Sequence, residues 1–470
     1  MRELIDHHGH VPETCVWEIT RACNLRCHHC GSLAGKRRPG ELSTAECVRV
    51  ARELAALGTR LITLSGGEPT LRADWPVIAR AAIEAGVTVN MVTNGQSPPE
   101  VLAQRAREVG LANVAVSLDG LEVTHDAIRA PGSFARVCRT ISTLAAAGIW
   151  VDVMFTVNRW NLGELEATYE LAEALGARGF RAQLGKPMGA QTGRDDLTLI
   201  PRDLLTLMPR LGRLAKGSGP RVMIGDSLGY YSQAERELRG RRSAEGHWTG
   251  CYAGCRAIGI QSDGSVKGCL SLQPRAGEAD PFIEGNVRDQ PLSEIWNRPG
   301  AFAYNREFTV DALRGACARC SHGSICRGGA KCVAHAYTGG VGSDPMCHLA
   351  ALRAEGSATK PLPASAAAAA AAILMAIGAG CGSSVETNHG GAGGTTGSGG
   401  TTGSGGTTTT TTVGDAGTDA AEDAAVDCSQ VCCDCDYGVP PAPEVFKACC
   451  CLNVCCECDY GVPPPAGCCQ

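Results

Sequence analysis

Cys23, Cys27 and Cys30 lie in the stretch RACNLRCHHCGS with the spacing Cys-x3-Cys-x2-Cys. Three thiols on one short loop bind metal or do redox chemistry, but a closed tetrahedral site needs a fourth ligand. Three thiolates can instead hold three irons of a cubane cluster and leave the fourth iron without a protein ligand, whereas electron-transfer clusters use four cysteines. An open coordination position separates a catalytic metal site from a structural one. The loop therefore predicts a cluster completed by a substrate or cofactor. A Cys3His zinc site using His28 or His29 is the competing reading.

Three further stretches carry groups that would suit an amino acid bound at such an iron. In SGGEP, Gly66 and Gly67 let backbone approach a ligand closely, and Glu68 can accept hydrogen bonds from an ammonium group. Thr93–Gly95, with Asn94 at its centre, and Ser117–Gly120 (SLDG) follow later apolar runs. Arg129 can clamp a carboxylate through two parallel hydrogen bonds. Taken singly, each of these loops is ordinary turn chemistry.

The elements that must position them alternate regularly. TCVWEIT, RLITLSG, VTVNMVTNG, ANVAVSLDG, WVDVMFTVN and GFRAQLG read as strands, and the stretches between them have helical periodicity. Ser43 is a candidate N-cap, and Gly58 stands just past the end of the same helix. Apolar strands joined by helices make parallel sheets. The repeated unit predicts an α/β fold, a partial (β/α)6 TIM-like barrel over residues 1–225. Chemistry in such folds sits on the loops after each strand, where the cysteines and the other stretches fall. Gln183 and Lys186, at the end of the sixth strand, are candidates for touching substrate.

In order and context, the Cys-x3-Cys-x2-Cys loop, GGEP, TNG and SLDG resemble the radical S-adenosylmethionine (radical SAM) family over roughly residues 12–215. The resemblance implies a [4Fe–4S] cluster on Cys23, Cys27 and Cys30, with S-adenosylmethionine on the open iron. Glu68 would meet its amine, and Ser117 and Arg129 its carboxylate, with Gly66, Gly67 and Asn94 completing the cofactor site. It further implies reductive cleavage to a 5′-deoxyadenosyl radical that abstracts hydrogen, with an electron donor such as flavodoxin or ferredoxin. His29 takes the usually aromatic position before the third cysteine.

Residues 226–355 read as a small loop-rich domain held by metal. Cys251, Cys255, Cys269, Cys317, Cys320, Cys326, Cys332 and Cys347 resemble the SPASM extension of peptide-modifying radical SAM enzymes. One family position falls on Ala330, with Cys332 two residues late. The resemblance implies one or two auxiliary [4Fe–4S] clusters: Cys251, Cys255, Cys269 and Cys332 in one, and Cys317, Cys320, Cys326 and Cys347 in the other. Spacing alone does not tell iron–sulfur from zinc in the second group. Cys15, Cys47 and Cys138 lie in predicted strands or helices and read as small buried hydrophobes. His7, His8 and His10 read as a solvated N-terminus.

The 470-residue chain has 27 cysteines, net charge −5 and no basic block, so nothing argues for nucleic acid. The N-terminus lacks a signal-like apolar run, and the core reads as cytoplasmic. The rest is an extension that composition predicts to be disordered. Residues 356–382 end in a lipobox-like segment, a possible membrane tether over 364–381. Residues 383–426 are a Gly/Thr-rich linker, with a reach on the order of 35–40 Å. Residues 427–470 repeat a Cys-rich unit, VCCDCDYGVP and VCCECDYGVP. That tail is either a lipoprotein-like fusion, a precursor peptide carried in cis, or unrelated to the core. The reading as a whole is a radical SAM enzyme acting on a peptide or protein. A small-molecule oxidant of tetrapyrroles and a non-catalytic iron–sulfur carrier are the alternatives.

Overall fold

Ten strands form one sheet in the computed structural model, which describes residues 9–225, 227–239, 246–275 and 277–358. The expectations for the lipobox-like segment, the linker and the Cys-rich tail lie outside these residues. The strands are β1 (Thr14–Thr20), β2 (Leu61–Gly66), β3 (Thr88–Thr93), β4 (Val114–Ser117), β5 (Val151–Val157), β6 (Gly179–Leu184), β7 (Arg221–Ile224), β8 (Ala257–Ile260), β9 (Ser265–Lys267) and β10 (Gly285–Asn286). The main intervening helices are α1 (Thr44–Ala56), α2 (Trp75–Glu84), α3 (Pro99–Val109), α4 (Glu122–Ile128), α5 (Ser133–Ala146), α6 (Leu165–Ala174) and α7 (Leu204–Ala215).

Local sequence explains the boundaries. Ser43 caps α1 by accepting from the Glu46 amide, and the Glu46 carboxylate returns to the Ser43 amide, a reciprocal capping box. Pro99 opens α3 and Gly110, in the left-handed region, closes it. Every position of β4 and β5 is buried, as a parallel sheet covered on both faces requires.

Strands β1 to β7 run parallel in chain order, and β8 pairs parallel with the other edge of β1. β9 and β10 then continue the sheet antiparallel. The six expected strands are present; β7 is an addition. It is four residues long and follows the turn-rich stretch KGSGP, too short a run for periodicity to show. The boundary expected near residue 225 falls just after β7. The segment beyond it adds strands to the barrel sheet and also shares its interior. One apolar core runs from Cys15 and Trp17 through Phe155 and Phe180 to Trp296, Phe302 and Met346. Among the described residues no helix is long and apolar enough to cross a membrane.

Candidate iron–sulfur active site

The cysteine loop leaves β1 and is tied down by charged side chains. Glu41 accepts from the Thr20 hydroxyl (3.0 Å) and from the Arg21 (2.8 Å) and Arg38 (3.1 Å) amides. Arg38 pairs with buried Glu18 at 2.7 Å, and Arg72 donates to the Ile19 and Leu42 carbonyls. Gly66 and Gly67 let the backbone after β2 close onto this loop. A Cβ on either would come within 2.2 Å of a loop carbonyl, that of Thr20 or Ala22. The close approach lets the Gly67 and Glu68 amides donate to Thr20 and Ala22 (2.8 and 2.7 Å). On the other side, Gly189 packs against the Cys30 carbonyl with its φ at +60°, and a Cβ there would lie 2.3 Å from that oxygen.

The three thiols are half-buried and face donors. Leu25 N–H points at Cys23 Sγ (3.5 Å) and Ala34 N–H at Cys30 Sγ (3.4 Å). Asn94 Nδ2 lies 3.8 Å from Cys23 Sγ, and Arg129 Nη1 lies 3.9 Å from Cys27 Sγ. Burial pushes the Cys27 thiol up to about 11, against the pull of Arg129, and burial also raises Cys23. Metal binding there displaces protons, and amides directed at sulfur are how loops stabilise cluster thiolates. Among the described residues no three His, Cys, Asp or Glu side chains converge as a single ion requires. A cubane, whose ligands each meet a different iron, does not need that convergence. The donor set therefore fits an iron–sulfur cluster.

Around the thiols, the loops after β2, β3 and β4 meet on two buried carboxylates. Glu68 Oε1 accepts from the Thr70 amide (3.1 Å) and hydroxyl (2.6 Å) and from Thr93 Oγ1 (2.8 Å); Oε2 takes the Asn94 amide (2.7 Å). Burial raises the Glu68 carboxyl. Oε2 has room for one more donor. Asp119, in SLDG, accepts from Arg129 Nε (2.6 Å) and the Thr156 amide (2.7 Å), with His29 Nε2 3.3 Å away. Its own amide donates to His125 Nδ1 (3.1 Å). Burial works to raise Asp119, but Arg129, His29 and His125 hold it below the usual carboxylate range. Burial, then Arg129, pushes His125 down to about 4. Ser117 is buried at the end of β4. Arg129 thus spends Nε on Asp119 and turns Nη1 toward Cys27. The roles of Asp119 and His125 were missed in the sequence, although SLDG contains the carboxylate; nothing about a single motif letter shows that four groups converge on it.

The auxiliary cysteines gather in two places. Cys269 and Cys332 are buried side by side and strongly affect each other's ionisation, and Cys251 interacts with both. Cys255 faces Arg327, Arg306 and Lys331. Cys332 sits in the first turn of α8 (Lys331–Thr338). Ala330 precedes that helix, and its amide is held by Tyr230 Oη (3.0 Å) and Asp344 Oδ2 (3.2 Å). Cys317 and Cys347 lie close enough to act on the Cys326 thiol, and Cys317 close enough to act on Cys347, and the Cys320 amide donates to the Cys317 carbonyl.

A cavity of about 790 Å³ lies between the two cysteine regions, lined by Gly31–Leu33 and Met188 on one side and Cys332, His335 and Arg275 on the other. A second, of about 390 Å³, opens beside Cys27 and Cys30 and is lined by Arg21, Arg26 and Lys36 without an acidic residue. Gln183 donates to Thr156 Oγ1 at 2.9 Å. Lys186 acts electrostatically on Cys269 and Cys332. Cys15 and Cys47 are buried, as expected of core residues, and Cys138 is half-buried. The His10 carbonyl accepts from Trp296 Nε1 (2.7 Å), and His7 and His8 lie outside the described residues.

Comparison with known proteins agrees with this geometry. The radical SAM superfamily matches residues 17–172, and the SPASM iron–sulfur cluster-binding domain matches 251–321. The mycofactocin maturase MftC of Mycobacterium ulcerans is 35% identical over 355 residues, 73% of this chain and 90% of that protein. The AdoMet-dependent heme synthase of Methanosarcina barkeri is 31% identical over 338 residues, 70% of this chain and 93% of that protein. Streptococcus suis SuiB, solved bound to its precursor peptide SuiA, shares the fold with a TM-score of 0.57 at 15% identity, covering 73% of this chain and 77% of SuiB. Radical SAM domains carry a [4Fe–4S] cluster and S-adenosylmethionine, and SPASM domains carry auxiliary iron–sulfur clusters. This chain belongs to the radical SAM superfamily and is a SPASM-containing enzyme of that family.

Proposed function

We propose that the enzyme modifies a ribosomally made peptide or protein. Cys23, Cys27 and Cys30 hold the cluster. Glu68 would receive the ammonium of S-adenosylmethionine, and Ser117 and Arg129, through the guanidinium nitrogens that Asp119 leaves, would receive its carboxylate. When bound and reduced, that pair supplies a 5′-deoxyadenosyl radical for hydrogen abstraction. The chain's own part is to bind, orient and shield: Glu68 ties the loops after β2 and β3 together, and Asp119 ties the loop after β4 to Arg129 and β5.

The observation that carries the reading is the 790 Å³ cavity, which reaches from the Gly31–Leu33 loop to Cys332. A substrate there spans the N-terminal and auxiliary sites. The maturase relatives support a peptide occupant. The Cys-rich 427–470 segment of the same chain is a further candidate occupant. The basic opening beside Cys27 and Cys30 suits an acidic low-potential donor, flavodoxin or ferredoxin.

A second reading, oxidation or decarboxylation of a tetrapyrrole, is favoured by the heme synthase and Fe-coproporphyrin III synthase relatives. The two separate in one experiment. The reconstituted enzyme is given S-adenosylmethionine, dithionite and either a synthetic 427–470 peptide or an iron-coproporphyrin. Loss of hydrogen mass from the peptide under reducing conditions supports the first reading. An unchanged peptide together with a porphyrin mass loss replaces it with the second.

A further inference from the structure

Tyr304 presents a buried hydroxyl that has no hydrogen-bond partner among the described residues. Its position is built by its neighbours. Asn305 Nδ2 donates to the Cys251 (2.7 Å) and Ala253 (2.8 Å) carbonyls, and Arg306 Nε donates to the Gly254 carbonyl (2.6 Å). These bonds strap the short helix Ala303–Arg306 along the Cys251–Cys255 loop. The Tyr304 ring meets Phe282 edge to face, with centroids 5.6 Å apart. Its Oη then lies against Gly268, where a Cβ would come within 2.2 Å of it. Gly268 adjoins Cys269, so the phenol oxygen lies beside the backbone that carries that cysteine. Cys251, Cys269, Glu284 and Cys255 all lie close enough to act on the phenol, and burial first, then these groups, keeps its proton in place. The hydroxyl is thus a donor among sulfur acceptors, and a buried donor left unmade is costly.

We propose that Tyr304 donates a hydrogen bond to a sulfur of the auxiliary cluster held by Cys251, Cys255, Cys269 and Cys332, and thereby raises that cluster's reduction potential. The inference rests on the reading that these four cysteines bind a cluster. A donor to sulfur stabilises the reduced state more, because reduction adds negative charge. Tyr304 acts through the cluster and is a tuning residue, not a catalytic one.

The test uses the full chain with Cys23, Cys27 and Cys30 changed to Ala, so that only auxiliary iron contributes. Tyr304→Phe and a 3-fluorotyrosine at 304 are introduced in that background, and potentials are read by EPR-monitored redox titration. The Phe variant should move one auxiliary signal to a more negative potential at unchanged iron and sulfide content. The fluorotyrosine, a stronger donor, should move it the other way. Unmoved potentials at unchanged iron overturn the inference. If the Phe variant loses auxiliary iron, the fluorotyrosine chain decides alone by the same criterion. A triple-Ala chain that binds no iron at all overturns the auxiliary-cluster reading, and this inference with it.

Discussion

Asp119 concentrates the buried charge of the site. Arg129, His29 and the Thr156 amide all meet its carboxylate, and it is fully buried. Removing one partner of a buried ion pair costs about 3–5 kcal/mol. Asp119→Ala should therefore lower the apo-protein's urea unfolding free energy by that order; a loss below about 1 kcal/mol would show that the network is not cohesive. His125 supplies a pH dependence. In the fold burial, then Arg129, push it down to about 4, whereas in the unfolded chain it titrates near 6.5. The unfolded state binds the proton first as pH falls. Its contribution is complete above about pH 6.5 and declines toward pH 4, by up to about 3 kcal/mol. His125→Asn, whose side-chain oxygen can take the Asp119 amide, should flatten part of that decline in denaturation midpoints measured from pH 7 to 4.5. An identical pH profile in the variant would contradict the assignment. At this scale the sequence displayed which letters bear chemistry, Cys23 to Cys30 and Glu68 among them. It hid convergence: Asp119, His29, His125 and Arg129 meet only because α4 and the cysteine loop come together at the end of β4.

The elements matter through the places where two backbones touch. Gly67 and Gly189 hold the cysteine loop from opposite sides, and in each case a Cβ would collide with a backbone carbonyl, of Ala22 or Cys30. Gly67→Ala and Gly189→Ala should each reduce the iron bound at the N-terminal site by more than half, with far-ultraviolet circular dichroism unchanged. Full iron loading in both would mean the loop tolerates displacement. At the capped end of α1, Ser43→Ala should cost about 1 kcal/mol without touching iron content. The strand–helix alternation was legible because β1 to β6 are bounded by caps, prolines and glycines that have local causes. β7 was not, since four residues carry no period. Nor was the function of Gly66 and Gly67, because a sequence shows that backbone must come close but not to what.

At the scale of the whole molecule, the joint between barrel and auxiliary region has the largest consequence. β8 extends the sheet at the edge of β1, the strand that leads directly into the cysteine loop. The strand between Cys255 and Cys269 is therefore paired in register with the strand that leads into the Cys23 loop, and the 790 Å³ cavity is lined from both regions. Composition suggested a small region held by metal alone, because a sequence run poor in long helices does not reveal that its apolar residues enter a neighbour's core. The central claim is that one iron at Cys23, Cys27 and Cys30 is left for S-adenosylmethionine. The most direct measurement is 5′-deoxyadenosine formed by the anaerobically reconstituted full chain with S-adenosylmethionine and dithionite, beside a Cys27→Ala variant. The account predicts dithionite-dependent deoxyadenosine from the native chain and a loss of at least a hundredfold in the variant; zinc in place of iron, or equal product from both, would contradict it.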